Sequence, residues 1–190
     1  MNVKLIFNIV LALLIVGLVY YLYKIIQEPI IFEVQKKIRY NETVVRLKNI
    51  RTAQLAYKDL HGKFAKDFNV LVNSLKNDTY PEVKIVGNPD DTTQVITYDT
   101  TYIPLKERAF KDAPFNLDSI AFIPYSGGVK FNLDAGEVVK NNTKVQVFEA
   151  SAEEKVFLKE LKEEFDKYID DKAILSVGSM TEGTLSGNWE

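Results

Sequence analysis

The pattern of hydrophobic and polar positions divides the chain into three parts. Residues 5–23 form an unbroken apolar run that carries no charge. In the following segment apolar residues recur every three or four positions, and from Tyr80 onward they alternate with polar residues in short runs. The first pattern predicts a membrane-spanning helix, the second an amphipathic helix and the third β-strands.

The apolar run has the length and the flanks of a transmembrane helix. At about 1.5 Å of rise per residue it reaches roughly 28 Å, close to the hydrocarbon thickness of a bilayer. Tyr20, Tyr21 and Tyr23 lie at one end, where aromatic side chains favour the membrane interface, and Lys24 follows. Since no small-residue cleavage site comes next, we expect an uncleaved signal-anchor over residues 1–29, with residues 5–23 in the lipid bilayer.

The charges that flank the span leave its orientation open. Lys4 precedes the helix, whereas Lys24, Lys36, Lys37 and Arg39 follow it. Counted alone, these charges place the long domain in the cytoplasm by the positive-inside rule. Long domains are exported largely regardless of that count, however.

A second helix is predicted over residues 30–60. Pro29 is expected to end or kink the first helix, because proline lacks an amide hydrogen. Residues 33–42 are more polar, and we expect them to stand clear of the domain as a stalk. The remainder carries one apolar face, formed by Leu47, Ile50, Ala53, Tyr57 and Leu60. This face either packs on the protein's own sheet or binds a partner helix, which makes Leu47, Ile50 and Tyr57 candidate partner-binding residues.

Residues 61–177 predict an α+β domain with an antiparallel sheet. A short helix is expected over residues 68–75. The strand-like runs are residues 83–86, 94–98, 119–123, 129–133, 144–150 and 173–177. Ser151 and Glu154 have the spacing of a capping box, so we expect a C-terminal helix from there to Ile169. The expected architecture is thus a transmembrane helix continuing into a long helix packed on an antiparallel sheet, followed by a C-terminal helix and a flexible or docked tail over residues 178–190.

Composition and motifs argue against catalysis. The chain has no cysteine and one histidine, His61, so the spacings of metal-binding histidines are absent. It contains no P-loop, nucleophile elbow or dinucleotide-binding glycine motif. We therefore expect a protein that is not an enzyme and that has no catalytic residues, cofactor or metal. The net charge of −2 offers no basic excess for phosphates, so no nucleic-acid partner is expected.

Two features concern partners and compartment. Trp189 is an isolated aromatic residue in the polar tail, and it either docks on the domain or binds a partner.

Three short triplets resemble an O-glycosylation acceptor of the envelope of some Gram-negative bacteria, with Thr92, Thr100 and Ser119 as the hydroxyl residues. The alternative is that these are ordinary turn or strand residues. Glycosylation would place the domain outside the cytoplasm.

The stretch Ile50–Phe64 resembles the end of the long N-terminal helix of type IV pilins and type II secretion pseudopilins. Tyr57, Gly62 and Phe64 match the family pattern of Tyr, Gly and an aromatic residue. The prepilin peptidase site and the early Glu of the apolar helix are absent, and Ala65 stands where the family has Pro. The resemblance implies a pilin-like fold on a permanent anchor that is not extracted into a filament.

The chain as a whole also resembles a bacterial family of single-pass envelope proteins that has no assigned activity. The resemblance lies in Glu28-Pro29-Ile30, in the segment 51–63, and in the tail from Val177 to Glu182 and Gly187 to Glu190. It implies a protein of the Gram-negative inner membrane with the C-terminal domain in the periplasm.

These observations favour a membrane-anchored structural or assembly component of a bacterial envelope machine of the pilus or secretion type. Its partners would be envelope proteins or further copies of itself. The alternative is a periplasmic ligand-binding sensor or adaptor module. A pocket lined by Tyr98, Tyr102 and Tyr125 would favour that alternative.

Overall fold

One helix, α1, extends over Val3–His61 and organises the molecule. The computed structural model describes residues 3–86, 97–111, 116–140 and 142–190. Among them α1 is the one helix that is long and apolar enough to cross a membrane, and its apolar part is not covered by the protein. Pro29 lies inside α1, so the predicted end of the helix there is wrong. Proline removes only its own amide from the ladder, and the residues on both sides stay helical.

The segment predicted as a free stalk instead packs on the domain. The Phe32 side chain is buried, with its ring centroid 5.6 Å from that of Phe165. Lys36 forms an ion pair of 2.5 Å with Glu154. The stalk prediction missed this packing because two polar residues of the segment, Lys36 and Arg39, pair with carboxylates of the C-terminal part of the domain, while most of the other polar residues remain exposed.

The remaining elements confirm the α+β prediction. Two further helices and the first strand pair are α2 (Phe68–Asn77), β1 (Thr79–Val86), β2 (Thr97–Pro104) and α3 (Leu105–Phe110). The second part contains β3 (Asn132–Lys140), β4 (Thr143–Glu153), α4 (Glu154–Phe157), α5 (Lys162–Phe165) and β5 (Ile174–Gly178). In the described part of the chain β1 and β2 form a two-stranded sheet, and β3, β4 and β5 form an antiparallel sheet in that order.

The core lies between the second half of α1 and the three-stranded sheet. Leu47, Ile50 and Ala53 on the helix are fully buried in the same cluster as Phe148 of β4. Gln54 is also buried, and its side-chain amide donates to the Ala65 carbonyl at 2.8 Å and accepts from the Ala65 amide at 2.9 Å. This pair of bonds holds the loop after α1 against the core, because buried backbone groups need partners.

Two predicted elements differ in the structure. Residues 119–123 do not form a strand: Leu117–Ser119 is a 3₁₀ turn, and only an isolated bridge joins Phe122 to Lys130. The Asn116 side chain accepts the Asp118 amide hydrogen at 3.0 Å and so closes this turn locally. Apolar runs of this length are consistent with a strand or with a buried turn, and periodicity alone does not separate them.

The predicted capping box and long C-terminal helix are also wrong. Residues 151–153 remain in β4, and α4 begins at Glu154 with no side-chain cap. From there to Tyr168 the chain forms α4, a 3₁₀ turn, α5 and another 3₁₀ turn. Strand pairing with β5 occupies the backbone that the capping box needs, so tertiary pairing overrides the local signal.

The tail docks on the edge of β5. Gly178 donates its amide hydrogen to the Ser186 carbonyl at 3.0 Å, and the Asn188 amide donates to Ser176 at 3.0 Å. The Asn188 side chain adds a bond to the Ile174 carbonyl at 2.7 Å. Of the two states expected for residues 178–190, the structure contains the docked one.

Candidate interaction surface

The strands β1 and β2 form a two-stranded ribbon with alternating faces. They run antiparallel, with Val83 opposite Thr100, Ile85 opposite Tyr98 and Lys84 opposite Asp99. Because side chains alternate along a strand, residues directly opposite each other share a face. We call this element the distal ribbon, residues 79–86 and 97–104.

One face of the distal ribbon is apolar and open to solvent. Its large side chains are more than half exposed: Val83 54%, Ile85 52%, Tyr98 65% and Tyr102 67%. The opposite face carries Glu82, Lys84, Asp99 and Thr101 along its middle, with Tyr80 and Ile103 next to the domain. A contiguous apolar face of this kind marks an interaction site more often than scattered exposed residues do. An isolated two-stranded hairpin is also only marginally stable in water, so a partner would stabilise the ribbon.

The base of the ribbon is fixed to the domain. Leu105, the first residue of α3, is fully buried, and its amide donates to the Asp78 carbonyl at 2.9 Å. The Arg108 guanidinium lies 4.9 Å from the centroid of the Tyr80 ring and forms an ion pair of 3.5 Å with Asp59 near the end of α1. The ribbon therefore projects from the end of the molecule where α1 stops.

This position is far from the apolar part of α1. Tyr23 and His61 are separated along the helix by roughly 57 Å at about 1.5 Å per residue. The ribbon strands have eight residues each, which corresponds to about 27 Å. Even a ribbon folded back along α1 would therefore end well short of the apolar segment.

A second polar cluster lies beside the base of the ribbon. The Nε2 atom of His61 is 3.0 Å from Ser74 Oγ and 3.1 Å from Asp78 Oδ2, and the Ser74 hydroxyl donates directly to Asp78. The His61 ring also packs against Tyr57, with centroids 4.2 Å apart. Sequence reasoning missed this group, because the three polar residues belong to two helices and the turn after them and match no motif.

The arrangement of hydrogen bonds in this cluster does not activate the Ser74 hydroxyl as a nucleophile. In a Ser-His-Asp relay the hydroxyl and the carboxylate bind different ring nitrogens, so that the imidazole takes the hydroxyl proton. Here both groups face the same nitrogen of His61, and the proton of Ser74 is directed at Asp78. The cluster instead ties the end of α1 to the end of α2.

The candidate partner-binding residues on α1 lie inside the protein. Leu47 and Ile50 have no exposed surface and Tyr57 is 7% exposed. A partner role for them is therefore wrong in this conformation, because their apolar face packs on the protein's own domain. Their spacing allowed either packing on the protein's own sheet or binding of a partner helix, and the structure shows the packing.

Trp189 is docked on the domain and only partly exposed. Its ring lies directly over Gly187, where any Cβ would come within 2.3 Å of the ring. Next to it, the Arg51 guanidinium donates to the Glu190 carboxylate at 2.9 Å, and this bond lowers the pKa of Glu190 below its ordinary value of 4.5. Partner binding through Trp189 would require the tail to leave this position.

The expected glycosylation residues differ in accessibility. Thr100 is exposed on the apolar face of the distal ribbon. Ser119 is half-buried, and its hydroxyl donates to the Asn116 carbonyl at 2.7 Å. Thr92 lies outside the described residues. Thr100 is thus the one described candidate whose hydroxyl is open to an enzyme.

The tyrosine pocket that would favour a ligand sensor does not form. Tyr98 and Tyr102 are exposed on the ribbon, whereas the hydroxyl of Tyr125 donates to Glu42 on α1 at 2.7 Å. This hydrogen bond raises the pKa of Tyr125, and the Arg39 guanidinium lies 4.7 Å from the centre of its ring. Tyr125 therefore braces α1 against the domain.

Neither a metal site nor a similarity to known proteins identifies a function for the described part of the chain. Among the described residues no group of His, Asp and Glu side chains is arranged to hold a metal ion. The chain was compared with protein-family models, curated proteins and solved structures, and none of them matches it.

Proposed function

We propose that this chain is a non-catalytic, membrane-anchored component of a bacterial envelope machine, and that the distal ribbon is its docking surface for a protein partner. The observation that carries the proposal is the exposed apolar face formed by Val83, Ile85, Tyr98 and Tyr102 at the end of the molecule opposite the apolar helix segment. In this proposal α1 anchors the protein and holds the ribbon at a fixed distance from the bilayer.

Distance favours a protein over a lipid as the occupant of this face. The apolar segment of α1 is the part proposed to lie in the bilayer, and the base of the ribbon is roughly 57 Å away along the helix. A strand pair of about 27 Å does not bridge that separation. The face is therefore beyond the reach of the membrane that holds the anchor.

The packing of α1 on the domain supports the role of a rigid spacer. Contacts begin close to the proposed membrane boundary, where Glu28 forms an ion pair of 2.8 Å with Lys167. They continue through the Arg39–Glu160 pair at 3.1 Å to the buried residues of the second half of the helix. A flexible stalk would let the ribbon reach many positions, whereas this packing restricts it to one.

We further propose that the domain is periplasmic and that the anchor remains in the inner membrane. The resemblance of the chain to single-pass envelope proteins supports export. A phosphatase fused after Glu190 tests the orientation. The expected result is an active fusion, and an inactive phosphatase with an active cytoplasmic reporter at the same position would contradict it.

Site-specific photocrosslinking tests the docking role. A photoreactive amino acid is placed at Tyr102, on the apolar face, or at its neighbour Thr101, on the polar face. In intact cells we expect discrete protein adducts from position 102 and at least several-fold fewer from position 101. Equal labelling from both positions would mean that the apolar face is not a specific docking surface.

A further inference from the structure

The two free edges of the distal ribbon are not equivalent. Leu105 donates to the Asp78 carbonyl, and these residues are opposite each other if the β1–β2 register is continued by one position. In an antiparallel pair such bonded positions alternate with positions whose amide and carbonyl groups point away from the partner strand. Tyr98, Thr100 and Tyr102 therefore direct their backbone groups to the free edge of β2.

Proline distinguishes the edges. On β1 the outward-facing residues include Pro81, the third residue of the strand, which has no amide hydrogen, so only Val83 and Ile85 lie beyond this interruption. On β2 the equivalent proline is Pro104, at the end of the strand next to the domain. Edge prolines protect against pairing with another chain, and β2 lacks this protection along its outer part.

We propose that two copies of this protein pair through their β2 edges, with a two-fold axis at Thr100. Antiparallel pairing about this residue lets Tyr98, Thr100 and Tyr102 each donate and accept a backbone hydrogen bond. The two ribbons then form one four-stranded sheet. Because the axis is perpendicular to the sheet, both apolar faces lie on the same side.

Side chains at this register are compatible with self-pairing. Tyr98 of each copy lies opposite Tyr102 of the other, and cross-strand aromatic pairs stabilise antiparallel sheets. On the polar face Asp99 lies opposite Thr101 of the second copy and is flanked by Lys84 of its own ribbon. No like charges are directly opposed, whereas such an opposition would destabilise the pair.

The surface area that the two tyrosines can bury indicates that pairing occurs between chains anchored in the same bilayer. A tyrosine side chain buries about 150–250 Å², and Tyr98 and Tyr102 are about two-thirds exposed. Two copies together therefore offer roughly 400–650 Å² of tyrosine surface, below the roughly 1,200 Å² of a standard stable interface. Pairing thus depends on the high effective concentration of two chains in one bilayer, and it rests on the anchoring in the proposed function.

The absence of cysteine from the chain allows a clean crosslinking test. Purified full-length variants with one cysteine each are reconstituted in liposomes and treated with a short bifunctional thiol reagent. They are produced in a host without O-glycosylation, because a glycan on Thr100 would block the edge. Thr100→Cys is expected to give a covalent dimer, since residues on the axis lie about 5.5 Å apart.

Matched variants test the register. Tyr98→Cys alone is expected to give little dimer, because the same residue of the second copy is four positions away, about 13 Å. A mixture of Tyr98→Cys and Tyr102→Cys chains is expected to crosslink. In detergent at high dilution the yield from Thr100→Cys should fall several-fold. Circular dichroism of each variant verifies that the domain is folded.

Two results would overturn the pairing. One is efficient crosslinking of Val83→Cys without Thr100→Cys, which would assign the contact to β1. The other is the lack of any dimer from Thr100→Cys and from the mixed pair. Neither result affects the docking role, which is tested by those adducts from positions 102 and 101 whose mass differs from that of two copies of this chain.

Discussion

Replacing Ile50 by alanine distinguishes a core helix face from a partner-binding one. Ile50 has no exposed surface and lies in the cluster between α1 and the sheet. The substitution removes three buried carbons, worth about 2.4 kcal/mol at about 0.8 kcal/mol each. The cavity left behind raises the expected loss of unfolding free energy to about 3–4 kcal/mol.

The assay is denaturant unfolding of the full-length chain in detergent, followed by the fluorescence of Trp189. This is the only tryptophan of the chain, and its ring packs against the core. Val45→Ala is the matched control, because Val45 is on the same helix but is 57% exposed. It is expected to change the unfolding free energy by at most about 0.5 kcal/mol.

The reasoning would be refuted if Ile50→Ala lowered the unfolding free energy by no more than the Val45 control. A residue on a free docking face behaves in that way, because its truncation leaves the isolated protein unchanged. The same result would return Leu47 and Tyr57 to the list of partner-binding candidates.

Three further predictions concern the tail and the core. The Arg51 bond lowers the pKa of Glu190, so its stabilising contribution is complete above pH 4.5 and is lost as the pH falls through the lower folded value. Tryptophan fluorescence followed in an acid titration should therefore report weaker docking of the tail in wild type, and Glu190→Gln should weaken docking already at neutral pH and shrink this transition. Gly178→Ala should destabilise the sheet by more than about 1 kcal/mol in thermal unfolding, since φ is +77° and the new Cβ would lie 2.2 Å from a backbone oxygen. Gln54→Leu should lower the unfolding free energy by about 2–4 kcal/mol in denaturant titrations, because it leaves a buried amide and carbonyl without partners.

The sequence predicts the parts of the fold that carry one simple pattern over enough residues. The apolar run is recognised by its length and its lack of charge, the 47–60 helix face and the strand at residues 144–150 by one clear period each, and all three are present in the structure. Prediction failed where a local signal competes with tertiary pairing. Ser151 and Glu154 match a capping box, but β5 pairs with the backbone that the box would use.

The candidate surface was only partly predictable for a related reason. Tyr98 and Tyr102 are recognisable in the sequence as candidate binding residues. The sequence does not say whether they line a pocket or form an open face, because both arrangements use the same residues. Their exposure depends on whether another element covers the ribbon, which is a property of the tertiary arrangement. The His61 cluster depends likewise on the contact between the ends of α1 and α2, and no spacing along the chain encodes it.

The most direct test of the docking surface is a photocrosslinking scan along β2, from position 98 to position 102, in cells that express the full-length protein. Side chains alternate between the two faces of the ribbon, so docking on the apolar face predicts adducts with a period of two. Positions 98, 100 and 102 should give adducts with other proteins, and positions 99 and 101 should give few; adducts with the mass of two copies of this chain report β2 edge pairing and are counted separately. Uniform labelling at all five positions, or labelling confined to 99 and 101, would contradict the proposal that the apolar face is where this protein binds its partner.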